Sequence, residues 1–312
     1  MIRYTAHILL PAFLLCLQFR SCAQVNLDTG SIFSQPILLD TFTFHSGFDV
    51  SAFIRRIQQD TTFYKAFRSM HLLSYSAKNN IIVYDKKGRD TVASLYNLTR
   101  QERKKNCRAT HILKQKTTGN YYKKDGENNY YTGALFDYLF FSKEPVCYEN
   151  DIVAGNLQQY GEGTMELNKY RLKQLIFNPG SRINGIPFMA DHAAIFEPEE
   201  AKKYNFHIST EEYNNEPCYL LHITPKKDYA NDVIYNELTT WFRKTDYSIL
   251  ARNYALSYHT LLYDFDVIMH VRTTQIGEKI YPSYIGYNGN WHIFTKRRER
   301  VRFSAVIDYD KP

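Results

Sequence analysis

The chain has 312 residues, 44% hydrophobic and 23% charged, which excludes a disordered polymer and leaves ample material for a buried core. Its 39 basic residues against 32 acidic ones give a formal net charge of +7, too small an excess for a nucleic-acid binder. Aromatic content is high, with 26 Tyr and 20 Phe against two Trp, and favours half-buried pleated surfaces, with an apolar or sugar-stacking binding surface as the sharper alternative.

The N-terminus reads as an address. Arg3 and His7 precede the apolar run from Ile8 to Leu17, and Ser21-Cys22-Ala23 offers small residues before Gln24. This pattern predicts a signal peptide over residues 1–23, cleaved between Ala23 and Gln24. The run is too short to span a bilayer. The expectation is an exported protein, periplasmic or associated with the outer membrane, and soluble after cleavage; export argues against a nucleic-acid partner. Lipidation at Cys22 is the rival reading, but Arg20 stands where a lipobox wants a small or β-branched residue. Cys107, Cys147 and Cys218 remain after processing. They allow one disulfide and a free thiol, or three buried thiols, and their spacing matches no metal motif.

Residues 24–47 read as an extended lead-in. Asp49 is a candidate N-cap for a helix carrying Val50, Phe53, Ile54 and Ile57 on one stripe, with Arg55 and Arg56 outward. Asp60 opens a second short helix with Phe63, Phe67 and Met70 on one face. Strands are expected over His71–Ala77 and Ile81–Asp85, separated at Lys78-Asn79-Asn80, and over Thr91–Leu98 after a turn at Lys86-Lys87-Gly88. Arg100–Arg108 is a charge run suited to a solvated loop or an exposed strand end, Ala109–Lys116 offers another strand, and residues 117–132 read as a polar loop that can be mobile. Leu135, Phe136, Leu139 and Phe140 form a deeply buried helical face. Thr164 opens a helix that ends at Phe177 before Asn178-Pro179-Gly180. Pro198 starts a short helix with Glu199 and Glu200 in its first turn.

From Tyr204 the pattern changes to period two. Tyr204, Phe206 and Ile208 alternate with polar residues, as do Tyr219, Leu221 and Ile223. In the longest run Leu261, Tyr263, Phe265, Val267, Met269 and Val271 form a dry side, against Asp264, Asp266, His270 and Arg272. Such alternation belongs to antiparallel sheets. About seven strands are expected between Tyr204 and Tyr309. The fold class is therefore α+β, a long curved antiparallel sheet covered by the helices of the first half. Residues 24–160 form a helix-strand region packing on the sheet and residues 161–312 the meander, in one continuous domain.

Two segments add a resemblance. Cys218-Tyr219-Leu220-Leu221-His222-Ile223-Thr224-Pro225-Lys226, followed by Thr239 to Arg252 with its Lys244-Thr245-Asp246-Tyr247 turn, resembles the central hairpins of bacterial LolA/LolB-type lipoprotein carriers. Phe177-Asn178-Pro179-Gly180, Gly185-Ile186-Pro187 and Gly289-Asn290-Trp291 fit an exported bacterial family that shares this core, over residues 165–310. The first 160 residues depart from the carrier pattern. The resemblance implies an incomplete β-barrel whose open mouth is closed by helices, with a hollow for acyl chains. It transfers no functional residue.

Catalytic signatures are absent: there is no Gly-x-Ser-x-Gly, His-Glu-x-x-His, phosphate-cradling Gly-x-x-x-x-Gly-Lys or Cys-x-x-Cys. The sequence thus leans away from an enzyme, and it calls for no cofactor and no metal. Asp191-His192 and the set Asp264, Asp266 and His270 are the residues from which a hydrolase or cation site could assemble. Trp241, Phe265 and Trp291 are the candidate ligand-binding residues, either in the core or lining a cavity. Lys296, Arg298, Arg300 and Arg302 would share one side of a strand, as a solvated, edge-protecting face or as a contact with an anionic membrane surface or polysaccharide. The expected function is non-enzymatic binding of an apolar ligand, a lipid or a lipidated protein, between sheet and helices. A surface interaction or glycan-binding protein is the alternative, and a hydrolase ranks third.

Overall fold

The strands from β5 (Tyr204–Tyr213) to β11 (Glu299–Tyr309) run in one meander: β6 (Glu216–Pro225), β7 (Tyr235–Arg243), β8 (Ile249–His259), β9 (Tyr263–Ile276) and β10 (Lys279–Ile293) lie between them. The chain is seen here as a computed structural model that describes residues 50–60, 62–141, 144–148, 177–181, 192–260, 263–293 and 297–310. The seven strands of the C-terminal half are those that period two predicts. The first half extends the same sheet. Its strand β1 (Tyr75–Tyr84) pairs with β11, and β2 (Thr91–Lys104), β3 (Cys107–Gly119) and the two-residue β4 (Val146–Cys147) follow outward. The result is an open, eleven-stranded antiparallel sheet with β4 and β5 at its ends.

Register keeps one face dry across the sheet. Leu95, Ile81, Phe303, Tyr287, Met269 and Tyr254 stand in one row across β2, β1, β11, β10, β9 and β8. All six are buried. This side is the inner face. Phe265, Val267, Met269 and Val271 are buried on it, as the alternation requires. Gly289 is also on it, and a Cβ there would fall 1.9 Å from Oη of Tyr287. The bare backbone is what lets the Tyr287 ring lie flat over it.

Helices pack on this face. Helix α1 (Val50–Gln59) sets the Phe53 ring 5.4 Å from Phe242 and 5.8 Å from Tyr219, on β7 and β6. Helix α2 (Thr62–Ser69) lies against β10, with Phe67 4.2 Å from Phe177. Helix α3 (Tyr131–Phe140) stacks Phe136 and Phe140 on Phe303 of β11, at 4.0 and 5.4 Å. A short helix, α4 (Pro198–Ala201), precedes β5. The expectation of a sheet covered by helices overstates this cover. The helical contacts fall on the strands from β6 to β11, whereas His111–Gly119 of β3 is exposed throughout.

Several local expectations are corrected. The break at Lys78-Asn79-Asn80 does not occur, and β1 runs straight through it. Asn79 points inward, and its Nδ2 donates to Oδ1 of Asn97 at 2.9 Å and to Oγ1 of Thr99 at 3.1 Å, so a polar residue costs the strand no unpaired donor. The charge run at Arg100–Arg108 takes the strand-end alternative: it is the end of β2, a turn and the start of β3, although Gln101 and Arg108 within it are buried. The loop read over 117–132 spans 120–130 and buries Tyr121, while 117–119 completes β3 and Tyr131 begins α3. The turn at Gly88 is as read, with φ +73° and the Asp85 carboxylate accepting from the Arg89 amide at 2.7 Å. The helix expected from Thr164 lies outside the described residues except for Phe177, and so does the signal peptide. Cys107 and Cys147 form a disulfide, and Cys218 is a buried free thiol.

Phe303 holds α3 through two stacked rings, so Phe303→Ala is expected to cost about 3–5 kcal/mol. Urea unfolding followed by circular dichroism would show it as a lowered midpoint, and a change below about 1 kcal/mol would contradict this packing.

Candidate apolar binding site

The inner face near the ends of β8, β9 and β10 gathers two of the three aromatic residues singled out in the sequence. Phe265 and Trp291 are directly opposed across β9 and β10. Tyr258 of β8 lies 6.1 Å from Phe265, and Tyr131 of α3 lies 4.9 Å from Trp291. Trp241 is not with them. It pairs with Leu220 and Ala251 on the opposite, outer face, where its ring meets Tyr213 at 5.3 Å. Alternation along β7 decides this: Trp241 stands between Thr240 and Phe242, which both point inward.

Trp291 also fixes the start of α3. Its indole Nε1 donates to Oγ1 of Thr132 at 2.8 Å, and that hydroxyl donates to Oε2 of Glu299 at 2.7 Å. The Glu299 carboxylate accepts the backbone amides of Tyr131 at 2.7 Å and Thr132 at 2.9 Å. The helix has no acid in its first turn and no side-chain cap from Tyr130. A carboxylate from β11 therefore neutralises the positive end of α3 and satisfies two orphan amides. Glu299 and Thr132 escape a sequence reading because the cap comes from 167 residues away.

The inner face carries a second polar element. Arg252 stands in the row Asn97, Asn79, Ala305, Ile285, Val271, Arg252 and Thr240. Its Nε donates to Oγ1 of Thr240 at 2.9 Å, and its guanidinium lies 4.5 Å over the Phe63 ring of α2. Burial holds its pKa below the usual arginine range, against a partial opposing pull from Asp60. A basic residue at a dry position of an alternating strand is the sequence signal that would have marked it.

Behind the aromatic group, on the outer face, lies an ion cluster. His259 sets Nδ1 2.9 Å from Asp264 and Nε2 3.4 Å from Asp266. Arg298 pairs with Asp264 and donates to Oδ1 of Asn290 at 3.0 Å. Burial raises the Asp264 pKa, but hydrogen bonds from Arg298 and His259 outweigh it and leave the carboxyl below its ordinary value.

The basic residues at and just before β11 share this outer face, and each of the three described has a neighbour there. Arg298 is in the ion cluster, Arg300 donates through Nε to the Lys86 carbonyl at 2.9 Å, and Arg302 sits 5.9 Å over the Tyr84 ring. Lys296 lies outside the described residues. With Asp264 and Asp266 on the same face, nothing here supports an anionic membrane surface or a polysaccharide as partner, and that expectation is withdrawn. Among the described residues, Asp264 and His270 of the hydrolase set do not come together. Asp191 lies outside the described residues, and His192 contacts Glu200 at 3.1 Å and Lys203 at 3.4 Å. Asp264 and His270 are six residues apart along β9, roughly 20 Å. Among the described residues no group of three His, Cys, Asp or Glu side chains is placed to hold a metal ion, and no helix is long and apolar enough to cross a membrane.

No protein-family model matches the chain, and no curated protein matches it. Several solved structures are similar to it at low identity. One is a putative outer membrane lipoprotein-sorting protein domain from Vibrio parahaemolyticus, at 11% identity and a TM-score of 0.26, covering 82% of this chain and 91% of that one. A LolA superfamily protein from Nitrosomonas europaea has 9% identity and a TM-score of 0.23, covering 81% and 94%. A DUF1329 family protein from Desulfovibrio piger has 10% identity and a TM-score of 0.22, covering 79% and 93%. At these values the likeness carries no weight for function.

Two outcomes follow from the site. Glu299→Gln leaves one capping oxygen and puts an NH2 group against a helix amide, so a loss of about 1–2 kcal/mol is expected in urea unfolding. Asp264 has a depressed folded pKa, so its contribution is full above the unfolded value near about 4 and is lost as pH falls through the folded value. Stability measured from neutral pH down to about pH 3 should therefore fall less steeply in Asp264→Asn than in the parent, and parallel curves would contradict the ion cluster.

Proposed function

We propose that this is an exported, non-enzymatic binding protein that holds an acyl chain or a lipidated partner between the inner face of the sheet and its helices. One observation carries the reading. A largely apolar face, interrupted by buried polar groups such as Asn79, Asn97 and Arg252, spans the sheet from β2 to β5, and short helices pack on part of it largely through aromatic ring contacts. Ring contacts tolerate lateral displacement better than directed hydrogen bonds do, so α1 and α2 can shift to admit a flexible chain. Phe265 and Trp291 form the rim of the proposed site, and Trp241, on the other face, has no part in it.

The disulfide between Cys107 and Cys147 fits an oxidising compartment, in keeping with the N-terminal address. The hairpin resemblance to lipoprotein carriers points to the same ligand class. A partly closed barrel, rather than a flat sheet, is the shape this reading requires.

The chain has only two Trp, so Trp241→Phe leaves Trp291 as a single reporter. Protein purified without detergent should show adducts of acyl-chain mass in native mass spectrometry. After delipidation, cis-parinaric acid should quench Trp291 emission by energy transfer, and Phe265→Asp should abolish the quenching while leaving the circular dichroism spectrum unchanged. Absence of both adducts and transfer would remove the reading.

A further inference from the structure

The edge strand β3 has a feature that lipid binding does not use. Its outer side is paired with β4 only at Cys107 and Arg108, where the disulfide also clamps it. From His111 to Gly119 every residue is exposed, and among the described residues no strand pairs with that stretch of edge. Ile112 and Leu113 are 55% and 58% exposed, among the most open large apolar side chains described. An uncovered edge presents a row of backbone donors and acceptors to any extended chain.

Charge selects which chain. From Arg103 to Lys124 the sequence contains no acidic residue, although the protein as a whole is close to balanced. Within the exposed stretch, register with β2 sorts the side chains by face. His111, Lys114 and Lys116 oppose Arg100, Leu98 and Tyr96 on the outer side, and Ile112, Gln115 and Thr117 oppose Thr99, Asn97 and Leu95 on the inner side. Two copies of this strand set edge to edge would bring lysines together with no carboxylate to offset them, which disfavours self-pairing.

We propose that the edge of β3 between His111 and Gly119 docks an extended acidic segment of a partner protein by strand addition. The bound segment alternates carboxylates, set beside Lys114 and Lys116 on the outer side, with β-branched apolar residues set beside Ile112 on the inner side. Backbone hydrogen bonds supply affinity, and the two lysines supply selectivity.

The test uses the full chain and a fluorescein-labelled peptide of alternating Glu and Val, with a Lys and Val peptide as control. Fluorescence anisotropy should give at least about tenfold tighter binding of the Glu peptide at low salt, weakening as salt rises. The double variant Lys114→Glu/Lys116→Glu, altered only at exposed positions, should reverse the preference. A Glu peptide N-methylated at alternate residues along its docking edge should bind at least about tenfold more weakly, because it lacks the ladder donors. Amide exchange at His111–Gly119 should slow on binding. Equal affinity for the two peptides, or an unchanged preference in the double variant, would overturn the proposal. So would protection of these amides before peptide is added, which means that the chain itself covers the edge. Concentration-dependent dimers that the peptide dissociates would make a second copy the occupant and would also overturn it.

Discussion

Ten unbroken antiparallel pairs, from Tyr75 opposite Tyr309 to Tyr84 opposite Arg300, join the first described strand to the last. The whole inner face depends on that register. It sets Ile81 beside Phe303 and Val83 beside Val301, so that two stretches of chain more than two hundred residues apart present their dry sides in the same direction. A slip by one residue would turn Ile81 and Val83 to solvent and Lys78 and Asn80 inward. The aromatic pair of Tyr75 and Tyr309, with ring centroids 5.4 Å apart, marks one end of the seam, and Tyr309 is held further by its hydroxyl donating to the Pro282 carbonyl at 3.0 Å. These fixed points favour one pairing among the neighbouring alternatives.

A sheet with one dry face needs a cover, and the manner of covering separates the three helices. Helices α1 and α2 are fastened largely by rings, Phe53 among Phe242, Tyr219 and Tyr247, and Phe67 on Phe177. The Arg56 guanidinium adds a stack 4.5 Å over Tyr247 and a hydrogen bond to the Asp246 carbonyl at 2.9 Å. Helix α3 is fastened directionally as well, by the Glu299 carboxylate at its start and the Trp291 indole on Thr132. Directed bonds fix both position and angle, whereas ring contacts fix mainly distance. The helix over β10 and β11 is thus held by directed bonds at its start, and the helices over the strands from β6 to β10 mainly by ring packing.

Much of this architecture was legible in the sequence because period two is a local signal. The alternation from Phe265 to Val271 gives strand, face and burial without knowledge of any partner. The aromatic stripe of α1 and the apolar face of α3 are local in the same sense. What escaped notice is what depends on distant partners. Asn79 reads as a turn former until Asn97 and Thr99 are known to satisfy it. Trp241 reads as a site residue until register with Ala251 sends it to the other face. Arg298 reads as a free cation until Asp264 is found across the sheet, and Glu299 reads as one more charge in a basic run until α3 lands on it. The open edge of β3 was hidden for the same reason, since a strand carries no local mark of whether its far side is paired.

The end of the sheet at β9, β10 and β11 shows how one alternation serves two faces at once. Asp264 and Phe265, Asn290 and Trp291, and Arg298 and Glu299 are neighbours in the chain, and each pair gives one residue to the outer ion cluster and one to the inner seat of α3. Arg298 links β11 through Asn290 to β10 and through Asp264 to β9, while Asn290 reaches Asp266 at 3.1 Å. These bonds pin the three strand ends in register from outside. That register is what sets Phe265, Trp291 and Glu299 side by side within, so the outer charges position the aromatic rim without touching it. Rim and ion cluster are therefore coupled mechanically: a strand end that slips far enough to break the Arg298 contacts also carries Glu299 away from the start of α3.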